Sequence, residues 1–178
     1  MNCGRANMAD MQQLPAGTWP SPLTAASLVG GSTAITGLAV DGDRVWWAES
    51  RPEEGGRTAI VRWHAGTARE VTPPDANVRT RVHEYGGGAW WAADDTLYYC
   101  EFADGRLRRI DIGPDGSVGE PVFLTPEPES PNALRYADGR PTVEGNWYVC
   151  VRERHRPGRE PANELVAVAT DGSLDVRL

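Results

Sequence analysis

The feature that most constrains this chain is an internal repeat of about fifty residues. Three aromatic strand signals begin at residues 45, 97 and 147, so they recur every 50 to 52 residues. The signals are Val45-Trp46-Trp47, Leu97-Tyr98-Tyr99 and Trp147-Tyr148-Val149. Each follows a short turn of Asp, Asn or Gly, residues that tolerate a left-handed backbone or bond their own backbone. A repeat of this length predicts an array of similar supersecondary units.

Each repeat carries signals for about four short strands, the pattern of a β-propeller blade. A second apolar strand follows each aromatic one, and the first two units end alike, with Thr72-Pro73 and Thr125-Pro126. The predicted strands lie near 35–40, 45–50, 60–64 and 68–72 in the first unit, 87–92, 96–102, 106–112 and 121–125 in the second, and 135–138, 146–152, 164–169 and 173–178 in the third. An irregular β-sandwich with coincidental spacing is the alternative.

The predicted fold class is therefore all-β: a partial propeller of about three four-stranded blades that is not closed. We place the blades at about 35–74, 86–127 and 132–178, within a propeller region 23–178 that follows an N-terminal tail and lead-in, 1–22. Propellers typically close with four to eight blades, and an open array leaves apolar blade faces exposed. We therefore expect a piece of a longer protein, or a ring completed by another chain.

The composition excludes several classes of protein. The 20 Gly and 14 Pro residues argue against a helical bundle, because both residue types destabilise helix interiors. The net charge of −7, from 25 acidic and 18 basic residues, argues against nucleic acid or anionic membrane as a partner, since both need a cationic face. The sequence lacks an apolar run long enough for a membrane span and the apolar core of a signal peptide.

The cysteines and tryptophans are predicted to be core residues. Cys3, Cys100 and Cys150 are too few and too scattered for a disulfide framework, which favours a cytoplasmic setting. Cys100 and Cys150 lie within aromatic strands, as small core residues do. The pairs Trp46-Trp47 and Trp90-Trp91 place one ring on each face of a strand, and neighbouring blades would bury both. A sugar-binding aromatic face, the alternative, would leave one ring of each pair exposed.

The chain shows no catalytic apparatus that we recognise. The nearest match to a Gly-x-Ser-x-Gly nucleophile elbow is 30–34, which lacks the second glycine and precedes a predicted strand instead of a helix. The three histidines fall in different predicted blades without metal-ligand spacing. Gly86-Gly87-Gly88 lacks the Lys-Ser/Thr of a phosphate loop. We predict no catalytic residue, no metal and no cofactor, and no peptide hydrolysis by this chain alone.

One stretch resembles a known family. Residues 81–89 read RVHEYGGGA, which is similar to a propeller segment of bacterial peptidases of the prolyl oligopeptidase family, in the branch called acylaminoacyl peptidase or dipeptidyl aminopeptidase. Weaker matches follow in order across 19–172, at 19–22, 49–57, 102–107, 135–140, 151–155 and 163–166. Gly105 stands where members often carry a larger polar residue, and 141–145 replaces a more usual Ser-Pro-Asp-Gly turn. Both departures look like loop changes.

The resemblance implies an N-terminal β-propeller that covers an α/β-hydrolase domain carrying a Ser-His-Asp triad. In that family the propeller restricts entry to short peptides and can contribute charges that hold the substrate terminus. The predicted function is thus a truncated substrate-gating propeller of a serine peptidase acting on short peptides or acyl-amino acids, with the hydrolase domain as its missing partner. A free-standing binding or scaffold module that assembles with copies or a partner is the alternative. A sugar- or lactone-directed propeller enzyme is a third class, but clustered metal ligands on successive blades are missing.

The first candidate site precedes the three glycines. Its residues are Arg81, His83, Glu84 and Tyr85, and we predict that they line the substrate-access path, where a charged group pairs with a substrate terminus. The structural alternative is that the glycines permit a tight bend and close packing, while Arg81 and Glu84 satisfy backbone groups between blades.

The second candidate site lies near the end of the third aromatic strand. It comprises Arg152, Glu153, Arg154 and His155, and we predict a rim that touches the hydrolase domain. The alternative is a solvated, charged hairpin tip with no further role.

Overall fold

The computed structural model describes residues 32–177, together with Pro15, Gly17, Leu23, Thr24 and Ser27. It divides into two compact units, 1–30 and 31–178. In the first unit the Thr24 N–H donates to Ser27 Oγ at 2.9 Å and the Ser27 N–H donates to Thr24 Oγ1 at 3.0 Å. Most of the predicted tail 1–22 lies outside the described residues, including Cys3 and the matching segment 19–22.

The second unit consists of three four-stranded antiparallel sheets, each formed by consecutive strands. The first sheet contains β1 (Ala34–Asp41), β2 (Arg44–Arg51), β3 (Arg57–His64) and β4 (Thr67–Glu70). The second contains β5 (Trp90–Ala93), β6 (Thr96–Cys100), β7 (Leu107–Asp111) and β8 (Val122–Phe123). The third contains β9 (Leu134–Pro141), β10 (Trp147–Arg154), β11 (Ala162–Ala169) and β12 (Val176–Arg177). We call these sheets blades 1, 2 and 3.

The predicted all-β class, with three unclosed four-stranded blades, is confirmed. The only helical element in residues 32–177 is one 3-10 turn, Pro52–Glu54, and none of the described helices is long and apolar enough to cross a membrane. The predicted turns before the second strands are tight hairpins with left-handed backbone at Gly42, Asp94, Asp95 and Gly145. The boundaries of the propeller region and its tail remain predictions.

The Thr-Pro ending of the first two units has a structural cause. Proline has no N–H and cannot continue the sheet ladder, and in the residue before it the threonine hydroxyl accepts a backbone hydrogen bond from the neighbouring strand. The Ile60 N–H donates to Thr72 Oγ1 and the Leu107 N–H donates to Thr125 Oγ1, each at 3.1 Å. Both threonines are buried, so the repeated sequence reflects the same closing contact in two blades.

The core lies between blades. Trp46, Ile60, Leu97 and Tyr99 belong to the cluster that joins blades 1 and 2. A second cluster joins blades 2 and 3, where the rings of Tyr98 and Tyr148 stack at 4.7 Å between centroids. These two tyrosines hold the same place in the aromatic repeat, yet they face each other across one junction. The third unit is therefore shifted by one residue relative to the second, which reverses the face of each side chain.

The predicted core residues are buried, except that Trp47, Trp90 and Trp91 are only partly buried. Cys100 and Cys150 are 3% and 2% exposed, as predicted. Burial raises the pKa of both thiols, that of Cys150 to about 12, so neither is suited to act as a nucleophile at neutral pH. Trp46 is fully buried, whereas Trp47 is half-buried on the opposite face of β2, where its indole N–H donates to Glu49 at 2.9 Å.

The two outward faces of the array are apolar. On blade 1, Leu38 and Val40 are each 68% exposed, and on blade 3 Leu165 is 71% exposed. All three side chains lie on the faces opposite the buried junctions, because residues alternate between faces along a strand. The array thus ends on both sides in surfaces of the type that its inner junctions bury.

Candidate functional site

The segment that leads into blade 2 turns back on itself through a left-handed backbone. His83 and Glu84 have φ of 55° and 64°, and Gly86 has φ of 88°. Two successive residues with a side chain in this region cost on the order of 1–2 kcal/mol each, so the surrounding contacts must impose the turn. Its tip is exposed, since Tyr85 is 96% exposed. Strained, exposed turns of this kind occur at functional sites.

The glycines after this turn permit a close approach to blade 3. A Cβ on Gly87 would lie 2.9 Å from Asp138 Oδ2, and one on Gly88 would lie 2.7 Å from Asp138 Oδ1. The Gly88 N–H donates to the same Oδ1 at 2.7 Å. Asp138 lies at a bulge in β9, with φ of 58°. Gly87 and Gly88 are therefore required by close packing across the blade junction, which supports the structural account of the glycines.

The two candidate sites of the sequence meet at one buried carboxylate. Glu153 is 2% exposed, and its Oε2 accepts the His83 N–H at 2.8 Å while lying 3.2 Å from His83 Nδ1. Its Oε1 lies 2.6 Å from His155 Nε2 and 3.3 Å from Arg135 Nη1. We call these residues, together with Glu84, the Glu153 cluster.

Arg135, at the start of β9, ties the turn to blade 3. Its Nη1 donates to Glu84 Oε1 and to the Arg81 carbonyl oxygen, both at 2.7 Å. One guanidinium thus bridges a buried carboxylate, an exposed carboxylate and a backbone carbonyl. Hydrogen bonds to charged groups are about twice as strong as neutral ones, so this bridge stabilises the left-handed turn.

The charge state of the cluster follows from its contacts. Burial alone would raise the pKa of the Glu153 carboxyl, but the hydrogen bonds from His155 and the His83 N–H, with the charge of Arg135, hold it below its usual range. Glu153 is therefore ionised at neutral pH. Two carboxylates and one guanidinium give the cluster a net negative charge when both histidines are neutral. The Glu84 side chain is 71% exposed, so this charge reaches solvent and suits an amine or another cation.

The segment 152–155, predicted as a rim, is less exposed than the tip of a solvated hairpin would be. Arg152 is 8% exposed, and its Nε and Nη2 donate to Glu164 Oε2 at 2.9 and 2.6 Å. Arg154 donates to the same oxygen at 3.2 Å. The interpretation of this segment as a solvated tip is wrong for Arg152 and Glu153, because both lie within β10 and pack into the blade. The exposed loop begins only after His155.

Sequence reasoning missed the partners that connect the two sites. Arg135 and Asp138 belong to a matching segment, 135–140, but nothing in that segment marks them as contacts of the turn. The hydrogen bond from the His83 N–H to Glu153 joins residues 70 positions apart, which no local pattern reveals. Within the described part of the chain, no group of three or more His, Cys, Asp or Glu is placed to hold a metal ion.

Comparison with solved structures places this geometry in a family. A puromycin-hydrolyzing peptidase of Mycobacterium tuberculosis superposes with a TM-score of 0.78 at 35% sequence identity, covering 94% of this chain. The chain corresponds to part of the propeller of a prolyl oligopeptidase family peptidase. A puromycin hydrolase matches at 32% identity and a TM-score of 0.77 over 92% of the chain. A mutant puromycin hydrolase complexed with PGG matches at 32% identity and 0.78 over 89%.

The match covers only part of each relative. This chain spans 27% of the Mycobacterium tuberculosis peptidase and 26% of each puromycin hydrolase structure, so it equals about a quarter of a family peptidase. No protein-family model matches the chain, and no curated protein matches it.

Proposed function

We propose that this chain is a substrate-gating propeller segment of a serine peptidase that acts on short peptides or acylated amino acids. The observation that carries the proposal is the match of at least 89% of the chain to peptidase structures at 32–35% identity. The segment works with an α/β-hydrolase domain, which supplies the triad. It does not hydrolyse peptides by itself, and its setting is cytoplasmic. Within the family, the RVHEYGGGA stretch favours the acylaminoacyl peptidase or dipeptidyl aminopeptidase branch.

In this proposal the exposed turn contacts the substrate and the Glu153 cluster holds the turn. Glu84 presents a carboxylate to solvent, and Tyr85 presents a ring beside it. Glu153 and Arg135 are positioning residues, because they act through Glu84 and the backbone of Arg81. A carboxylate held by a guanidinium is well placed to pair with a substrate amine by a charge-assisted hydrogen bond.

A chimera tests this role. Residues 32–177 replace the matching quarter of the Mycobacterium tuberculosis peptidase, and hydrolysis of puromycin is compared with digestion of an unfolded protein. We expect puromycin hydrolysis with exclusion of the protein. Glu84→Gln should raise KM for substrates with a free amino group and leave kcat unchanged, the signature of lost binding. Glu120→Gln, at an exposed residue distant from the turn in sequence, is the matched control.

Two results contradict the proposal. One is a folded chimera that degrades the unfolded protein as readily as puromycin, because the segment then does not restrict entry. The other is an unchanged KM for Glu84→Gln, which would remove the turn from substrate binding. The isolated chain should show no turnover of a fluorogenic aminoacyl amide. Turnover that a serine-directed inhibitor blocks would show a catalytic site of its own.

A further inference from the structure

A second candidate site adjoins the exposed turn, because Tyr85 and the three glycines after it form part of its lining. It is a cleft of about 390 Å³ that lies along the first strands of the three blades, β1, β5 and β9. The blades of a propeller surround a central channel. The apolar residues Ala39, Trp90 and Trp91 form part of its wall, and Arg79 and Arg140 add positive charge. Its volume falls within the range of small-ligand sites.

The two arginines have no acidic partner among the described residues. Arg140 Nη1 donates to the Gly139 carbonyl at 2.7 Å, and its guanidinium lies 3.5 Å from the ring centroid of Trp91. The Arg79 guanidinium lies 4.5 Å from the ring centroid of Phe102. A guanidinium has five N–H donors, so most of these donors remain available. Elsewhere most of the described arginines are paired, since acidic residues outnumber basic ones, 25 to 18.

The surroundings hold this charge in place without neutralising it. Asp138, two residues before Arg140 on β9, forms no ion pair with it, and its Oδ1 accepts a hydrogen bond from the Gly88 N–H at 2.7 Å. The Trp91 ring orients the Arg140 guanidinium by a cation–π contact, which leaves the guanidinium edges free for hydrogen bonds. The cleft therefore combines an apolar wall with two guanidinium groups that form no ion pair among the described residues, and Trp91 orients that of Arg140.

We propose that this cleft binds the carboxylate of a ligand with an apolar body, such as the carboxyl end of a short peptide or of an acylated amino acid. Guanidinium and carboxylate match in a bidentate geometry, and the apolar wall accommodates the adjoining side chain. This inference extends the proposed function by naming a second end of the substrate that the propeller recognises. It is tested by binding alone, so its failure would leave hydrolysis by the chimera unaffected.

The test is a titration of the isolated chain followed by tryptophan fluorescence, to which Trp90 and Trp91 contribute. The ligands are N-acetyl-L-phenylalanine, its amide, and phenyl phosphate. We expect saturable binding of the acid, at least tenfold weaker binding of the amide, and weakening of acid binding by added salt, because exposed charges are screened. Tighter binding of phenyl phosphate than of the acid would overturn the assignment to a carboxylate.

Substitutions locate the site. Arg140→Gln and Arg79→Gln should each weaken binding of the acid at least tenfold, whereas Arg140→Lys should retain part of it. Arg156→Gln is the control, because Arg156 is also an exposed arginine without an acidic partner among the described residues. Circular dichroism verifies that each variant folds. Equal affinity for the acid and the amide, or unchanged binding by folded Arg140→Gln, would overturn the proposal.

Discussion

Replacing Glu153 by glutamine separates the charge of the cluster from its shape. The wild-type carboxylate accepts the His83 N–H and lies within hydrogen-bond distance of His155, with Arg135 at 3.3 Å. Glutamine keeps one acceptor oxygen but turns an NH2 group toward at least one donor. A hydrogen bond to a charged group contributes about 1.5–3 kcal/mol, and breaking a buried ion pair costs about 3–5 kcal/mol. We expect a loss of about 3 kcal/mol in the free energy of unfolding at pH 7.

The loss should depend on pH in a defined direction. The folded-state pKa of Glu153 lies below the ordinary value of 4.5, so its stabilisation is fully present above about pH 4.5. It disappears as pH falls through the folded pKa, because the folded state then takes up the proton as well. The difference between wild type and Glu153→Gln should therefore shrink below pH 4.5. Glu70 and Glu164, whose pKa values are also lowered, affect both proteins equally and cancel.

Urea unfolding followed by tryptophan fluorescence, repeated from pH 7 down to pH 3, measures both quantities. Glu120→Gln serves as control, because it removes one exposed carboxylate and should change stability by less than 0.5 kcal/mol, as surface substitutions usually do. A loss for Glu153→Gln below that limit at pH 7 would refute the reasoning. So would a loss of equal size at every pH, which would point to packing instead of charge.

Three further predictions concern the blade junctions. Thr125→Val should lower the free energy of unfolding by about 1–3 kcal/mol in urea, because a buried backbone N–H loses its acceptor. Gly139→Ala should destabilise by at least about 1–3 kcal/mol and alter the near-ultraviolet circular dichroism, because a Cβ at this position would overlap the Tyr148 ring. Cys100 and Cys150 should react with a disulfide reagent only when the chain unfolds, since both are buried with raised thiol pKa values; rapid labelling of either residue in the native chain at neutral pH, identified by peptide mass spectrometry, would contradict this.

The fold could be predicted largely from local sequence signals. Aromatic and β-branched runs favour strands, and the Asp and Gly turns between them set hairpins, so the number and order of strands followed from the repeat. The one-residue shift of the third unit did not follow, because Tyr98 and Tyr148 occupy equal places in the repeat and differ only in the face they present. That choice depends on the register between blades, a tertiary property.

The candidate site was predictable only in pieces. His83 and Glu84 stood out through their position before three glycines, and Glu153 and His155 through their charged run. Their meeting depends on the packing of blade 2 against blade 3, which brings residues about seventy positions apart into hydrogen-bond contact. The unpaired arginines of the cleft could not be predicted either. Whether an arginine has an acidic partner depends on where the fold places every carboxylate.

The two candidate sites are formed by contacts within this chain, whereas its outward apolar faces have no neighbouring blade to cover them. The Glu153 cluster is formed by the turn before blade 2 and by strands of blade 3, and the cleft lies along the first strands of the three blades. Their described contacts all come from residues 36–155 of this chain. Leu38 and Leu165, in contrast, lie on faces that an inner junction would bury. Burial of apolar area stabilises by about 25 cal/mol per Å², so neighbouring blades on these faces would add stability to the array, whereas Glu84 and Arg140 already have orienting contacts within this chain. Binding measured on the isolated chain therefore tests an arrangement that this chain forms from its own residues.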